Sequence, residues 1–362
     1  MKFPKIVQSF NDFSIVLRIL IVLALISGVV LRFSNLDGKL YSNDETFSTT
    51  YIFGHDLASA GIIDNRIITV RELQNFQKVN LDESLSHSVD RLLKTTYLFP
   101  PLYSMGMQLW ARLWITYSDN IAIINRSFSV FISLFSLPCM YWLCWDLSGT
   151  ATMAWIGTAL IAISPFHLQY SQIVRTYSFL TVTILLSSAS LLRAIRLQSY
   201  MSWLIYAVTV ALGLYSNVLF GFVVIAHGTY IIISQKFRLN KIVRSYVIAS
   251  LAGIATFLPW FIQFVSKPSL LDYSVEQVSD RISTIGLLIA SFNNLKKIFI
   301  DLNDPWIDFT QNLLVLQRLS LPLIVILVII SVCYCIQKKS RPACLFIICI
   351  IGICGEIGRA HV

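Results

Sequence analysis

Charge is what this chain has least of. Only 13% of its 362 residues are charged, about half of the roughly 25% in an ordinary soluble domain. Hydrophobic residues make up 56%, and mean hydropathy is +0.70. That balance excludes a soluble globular protein and implies an integral membrane one. A glycine-rich phosphate loop is also missing, which argues against a nucleotide held in such a cradle. The seven cysteines, at positions 139, 144, 333, 335, 344, 349 and 354, form no CxxC pair. All fall within apolar runs without histidine neighbours, so they read as small buried hydrophobes rather than disulfides or metal ligands. The net charge of +9 lacks the continuous aromatic-studded groove of a nucleic-acid binder, and no nucleic-acid partner is expected.

What is abundant is uninterrupted apolar sequence. A helix needs about 20 such residues to cross the hydrocarbon, and nine runs are candidates: residues 13–31, 121–145, 151–169, 176–192, 202–216, 218–234, 245–265, 319–337 and 343–354. The fifth and sixth share one uncharged stretch, split at Tyr215-Ser216-Asn217. The first run follows Lys2 and Lys5 but has no small-x-small cleavage site after it, so it reads as a retained signal anchor. With the N-terminus in the cytoplasm, Arg193 and Arg196, then Lys236, Arg238, Lys241 and Arg244, then Lys338, Lys339 and Arg341 all lie in cytoplasmic loops, as the positive-inside rule requires. The expected fold is an all-α polytopic bundle of about nine spans in the plasma or inner membrane. Its long polar segments, 32–120 and 266–318, then lie outside. Within the first, Pro100 to Ile115 predicts a helix started by Pro-Pro with Leu102, Met105, Leu109 and Leu113 on one stripe, lying along the membrane surface. The bundle is read as one domain over residues 1–355. Residues 356–362, EIGRAHV, back-translate naturally to a sequencing-adapter sequence, so the true C-terminal part of the chain is expected to be missing.

Polar residues that break the apolar pattern gather on the external side. Asp44 and Glu45 follow the first run, Arg126 opens the second, and His167, Tyr170, Gln172, Arg175 and Tyr177 occupy the turn between the third and fourth. Membrane-edge ionisable residues are costly unless paired or lining a wet cavity, so this convergence marks a candidate site. Arg175 is suited to grip a phosphate through parallel hydrogen bonds, and equally to anchor its helix by snorkelling. Asp44 and Glu45 suit the first turn of a helix capped by Ser42 or Asn43; adjacent residues point in different directions, which leaves one acid able to face a substrate. His55 and His87 are too scattered to form a metal-ligand set.

At these residues the chain resembles the family C glycosyltransferases, in particular the protein O-mannosyltransferase-like and aminoarabinose-transferase-like group (glycosyltransferase family 39 type). The resemblance rests on the DE pair Asp44–Glu45, the PPLY helix start from Pro100 to Tyr103, Arg126, and the SPFHLQYSQ turn with Arg175 and Tyr177, and it spans about residues 10–265. It implies an enzyme that takes a hexose or pentose from a polyprenyl-phosphate carrier to a lipid, glycan or protein acceptor at the non-cytoplasmic face. In that reading Asp44, with Glu45 beside it, is the catalytic acid pair, Asp44 acting as base on the acceptor hydroxyl. Arg175 and Arg126 attend the donor phosphate, and Tyr103, His167, Tyr170, Gln172 and Tyr177 line the substrate site. No cofactor is required by the sequence; a divalent metal is compatible with the reading but has no spacing signature. Two positions depart from the family pattern: Phe99 stands where relatives often have histidine, and Ile173 where they have an acid. A transporter or lipid flippase is the alternative reading, and a scaffolding subunit a third.

Overall fold

The computed structural model describes residues 14–55, 67, 69–81, 84, 86–87, 90, 100–266, 345–347 and 349. All regular structure among them is α-helix. Seven of the nine apolar runs fall within them. The eighth run, most of the ninth, the segment 267–318, Phe99 and the tail 356–362 lie outside the described residues.

The first run is α1 (Ile15–Phe33), capped by the Ser14 hydroxyl. Among the described residues, four helices are long and apolar enough to cross a membrane: α1, the continuous pair α5 (Ile121–Leu134) and α6 (Ser136–Ser148), α9 (Tyr177–Leu197), and α12 (Lys241–Val265), which qualifies over Lys241–Ile262. A fifth crossing is made if α7 (Ala151–Ile163) and α8 (Pro165–Ser171) act together, although they meet at 57°. The remaining runs give the shorter α10 (Tyr200–Ser216) and α11 (Phe220–Ser234), which part at Asn217. Before α5 come α2 (Asn43–Phe53), α3 (Val70–Asn75) and α4 (Pro101–Trp114).

Prolines explain the breaks inside two runs. Pro138 has no N–H for the Leu134 carbonyl, and the helix is interrupted at Phe135. Pro165 likewise leaves the Ile161 carbonyl without its helical donor, and Arg32 takes it over: Nη2 donates to Ile161 O at 3.2 Å, and Nη1 to Ala162 O at 2.6 Å and Gly28 O at 2.8 Å. The reach is short because α1 and α7 touch at Gly28, where a Cβ would collide with the Ala162 carbonyl. The expected turn from Ser164 is therefore mostly helix, with the irregular backbone confined to Gln172–Thr176.

Packing divides the interior. One cluster joins α9, α10, α11 and α12 around Tyr206, Val210, Phe220 and Ile231. A second joins α2, α4 and α5 through Phe53, Tyr103, Met107 and Ile124. The buried imidazole beside the first cluster is satisfied at both nitrogens: His227 meets the Tyr206 hydroxyl through Nδ1 at 3.1 Å and Ser188 Oγ through Nε2 at 3.2 Å. The outside is apolar. On α1 alone Ile15, Val16, Leu20, Leu23, Ile26 and Val30 are exposed, and burying each such side chain is worth about 1.5–3 kcal/mol, so a bilayer is the environment this surface requires.

Two chemically distinct ends result. Asn217 donates to Thr176 Oγ1 at 3.3 Å, which places the α10–α11 break beside the α8–α9 turn. At the other end Arg196 pairs with Asp146, and the Arg193 guanidinium lies 5.9 Å from the Trp142 ring centre. Helix α4, at 14 residues, falls short of the ~20 needed to cross. Its buried face is Tyr103, Ser104, Met107, Gln108 and Ala111, while Leu109 and Leu113 of the anticipated stripe face outward.

Candidate functional site

The site is built on the first turn of α2. Ser42 is the N-cap: its hydroxyl accepts from Glu45 N–H at 3.2 Å, and Glu45 Oε2 accepts from Ser42 N–H at 3.1 Å, a complete capping box. Successive helical residues are rotated by about 100°, so the two acids part company. Glu45 turns inward and Asp44 outward.

Glu45 is 2% exposed, as is its partner Arg126. Arg126 Nε donates to Oε1 at 3.0 Å and Nη2 to Oε2 at 2.9 Å, a two-pronged pair. The remaining three N–H groups go to backbone carbonyls of the loop after α1: Nη1 to Leu36 O at 2.5 Å and Lys39 O at 2.9 Å, and Nη2 to Leu40 O at 3.0 Å. All five donors of the guanidinium are thereby used. Glu45 Oε1 also accepts the Val174 N–H at 3.1 Å. Four segments are thus knotted at one carboxylate: the loop after α1, α2, α5 and the turn that carries Arg175. Tyr41 covers the knot, its ring 4.9 Å from the guanidinium, and its hydroxyl accepts from Asn125 Nδ2 at 3.0 Å. Burial pushes the phenols of Tyr41 and Tyr103 well above the ordinary tyrosine range.

Asp44 has a different situation. Its side chain is 63% exposed, and Oδ2 lies 2.8 Å from Nη2 of Arg175, which is 16% exposed. The outward acid and the turn arginine therefore meet directly, across 131 residues of sequence. Arg175 also lines a groove of about 340 Å³, counting its open mouth, walled by Ser48, Tyr51, Ile52, Tyr103, Ser104 and Thr176. Tyr103 is held from behind by a 2.7 Å hydrogen bond between its hydroxyl and Ser129 Oγ. The arrangement offers a carboxylate and a guanidinium beside a mostly apolar groove bordered by serine, threonine and tyrosine residues.

The other anticipated site residues separate from this groove. His167 and Tyr170 line a second cavity of about 250 Å³ with Arg32 and Ser136. Tyr177 packs edge-on against Tyr170 at 5.1 Å between centroids. Gln172 caps α1: its Nε2 donates to the carbonyls of Leu31, Arg32 and Ser34 at 2.9–3.2 Å, while Oε1 accepts from Lys39 Nζ at 2.6 Å. Glu45, Arg126 and Gln172 are all occupied in holding backbone. Of the nine anticipated residues, Arg175 and Tyr103 line the groove, and Asp44 touches it through Arg175. Ser48, Tyr51, Ser104 and Thr176 were not anticipated. The first two share the Asp44 helix at intervals of four and seven residues, a periodic signal the sequence did carry. Among the described residues, no three His, Cys, Asp or Glu side chains come together to hold a metal ion; His55 instead bonds the Lys78 carbonyl at 2.9 Å.

Comparison with protein-family models, curated proteins and solved structures returned no match.

Proposed function

We propose that this chain is a membrane glycosyltransferase that moves a sugar from a polyprenyl-phosphate donor to an acceptor hydroxyl at the non-cytoplasmic face of the plasma or inner membrane, with its N-terminus in the cytoplasm. One observation carries the reading: the 2.8 Å contact between Asp44 and Arg175, the arginine lining a mostly apolar groove. Transfer from a lipid phosphate needs a base for the acceptor and a cation for the departing phosphate, and this pair supplies both. The contact is also easily exchanged, since a partly exposed ion pair is worth only about 0.2–1 kcal/mol. A phosphate arriving at Arg175 would displace Asp44 and leave the carboxylate free to take the acceptor proton. The polar ends of α2 and α4 then flank the reacting groups, with the apolar belt beneath for the polyprenyl chain.

Glu45 and Arg126 enter this reading as positioning residues. Their knot holds the Asp44 helix and the Arg175 turn at a fixed separation, through the Val174 N–H. His167 and Tyr170 are assigned to the second cavity, with Tyr177 packed against Tyr170, rather than to the transferring groups.

The test is transfer from a panel of lipid-linked sugars by purified protein. Asp44→Asn is expected to lower the rate by roughly 10²–10⁴-fold, and Arg175→Ala by roughly 10²–10³-fold, both with normal insertion. Undiminished transfer by the Asp44→Asn protein would remove that acid as the base. The 57° break between α7 and α8 favours one other reading, a transporter or flippase, because broken helices often line transport sites. Accumulation of substrate inside sealed vesicles without any glycoside bond formed would favour it over the enzyme.

A further inference from the structure

The end of the bundle opposite the groove carries an unusual loop. Residues 235–240 join α11 to α12, and Lys236 (φ 52°) and Phe237 (φ 58°) are consecutive left-handed residues, neither of them glycine. They wrap the end of α11: Lys236 N–H donates to Ile233 O at 3.0 Å and Phe237 N–H to Ile232 O at 2.9 Å. Such a wrap ordinarily uses glycine, which adopts this backbone without steric cost. Here the left-handed positions carry side chains that stand exposed. Phe237 is 78% exposed, and so is Leu239.

Cations alternate with these apolar groups. Lys236, Arg238, Lys241 and Arg244 are all exposed, and no carboxylate among the described residues pairs with them. Asp146, at the same end, is held by Arg196. The loop is also continuous with the apolar belt. Ile232 and Ile233 on the last turn of α11, and Val247 and Ile248 on α12, are exposed beside it, so lipid tails would cover the helices to within about a turn of the loop.

From this we propose that residues 236–244 form a docking surface for acidic phospholipids. Phe237 and Leu239 enter the boundary between headgroups and acyl chains, and the four cations hold lipid phosphates. An acidic protein or a nucleic acid would match the cations but leave both apolar side chains in water. A bilayer with anionic headgroups matches both at once. This surface does not depend on the sugar-transfer reading, because it lies at the other end of the bundle.

The test is competition between phosphatidylglycerol and phosphatidylcholine for purified protein in mixed bilayer discs, with the lipids retained after a mild detergent wash counted. The natural chain is expected to enrich phosphatidylglycerol, and Lys236→Gln, Arg238→Gln, Lys241→Gln and Arg244→Gln to lower that enrichment by up to about five-fold each, with the effect shrinking in high salt. A second variant, Phe237→Gly with Leu239→Ser, keeps every cation and relieves the left-handed backbone. It is expected to lose several-fold in retention while its unfolding temperature in detergent does not fall. Equal retention of the two lipids by the natural chain overturns the proposal. So does enrichment that survives both sets of substitutions, or capture of acidic protein or nucleic acid without lipid preference.

Discussion

Asp44 and Glu45 are neighbours in sequence, each faces an arginine, and the two pairs have opposite characters. Glu45–Arg126 is buried, two-pronged and saturated, with every N–H of the guanidinium and both carboxylate oxygens committed. Asp44–Arg175 is a 2.8 Å contact at the edge of a groove with its acid largely exposed. Burial makes the first pair expensive to disturb, because removing one partner strands the other charge away from water. Exposure makes the second inexpensive to exchange. The same two residue types thus serve as a structural knot and as an exchangeable pair, one helical step apart.

The largest effect that would sharpen this contrast is Arg126→Ala, which abandons the Glu45 carboxylate and frees three loop carbonyls. It is expected to cost about 3–5 kcal/mol, read as a steep fall in the unfolding temperature in detergent. An Arg126→Met, Glu45→Met double variant should recover part of that loss, since two matched apolar groups leave no stranded charge. Next comes Gln172→Leu, which uncaps the end of α1 and is expected to cost about 1–3 kcal/mol. Raising pH tests the cover of the knot. Tyr41 and Tyr103 have folded-state values raised above the ordinary 10.0, so their contribution is complete below that value. As pH rises past it the unfolded chain ionises while the buried rings stay neutral, and stability should fall by about 1.4 kcal/mol per ring for each pH unit, measurable by denaturant unfolding at pH 9 and pH 11. Smallest of all, Arg175→Ala should change stability by under about 1 kcal/mol. A cost for Arg175→Ala as large as that for Arg126→Ala would erase the distinction between the two pairs.

The all-helical architecture was legible because long hydrophobic runs follow directly from what a bilayer tolerates. The seven described runs became helices, and the division at Asn217 fell where a polar triplet interrupts the apolar stretch. The interruptions at Phe135 and Ser164 were signalled by Pro138 and Pro165, but the consequence at Pro165 was not, because Arg32 repairs the orphaned carbonyl from 129 residues away. Such long-range partnerships leave no periodic trace. The bonds from Gln172 to the end of α1 and from Arg126 to Glu45 are partnerships of the same kind. The meeting of Asp44 with Arg175 was anticipated only as a shared face, and the direct contact required the tertiary fold. Ser104 was overlooked because a serine in a largely apolar helix attracts no notice until a groove opens beside it, whereas Ser48 could have been found from its spacing to Asp44.

The most direct measurement compares Asp44→Asn with Glu45→Gln in one preparation, recording both unfolding temperature and sugar transfer from lipid-linked donors. The account predicts that Asp44→Asn keeps the natural unfolding temperature and loses transfer, while Glu45→Gln unfolds at distinctly lower temperature. Full transfer by Asp44→Asn, or a Glu45→Gln protein as stable as the natural chain, would contradict it.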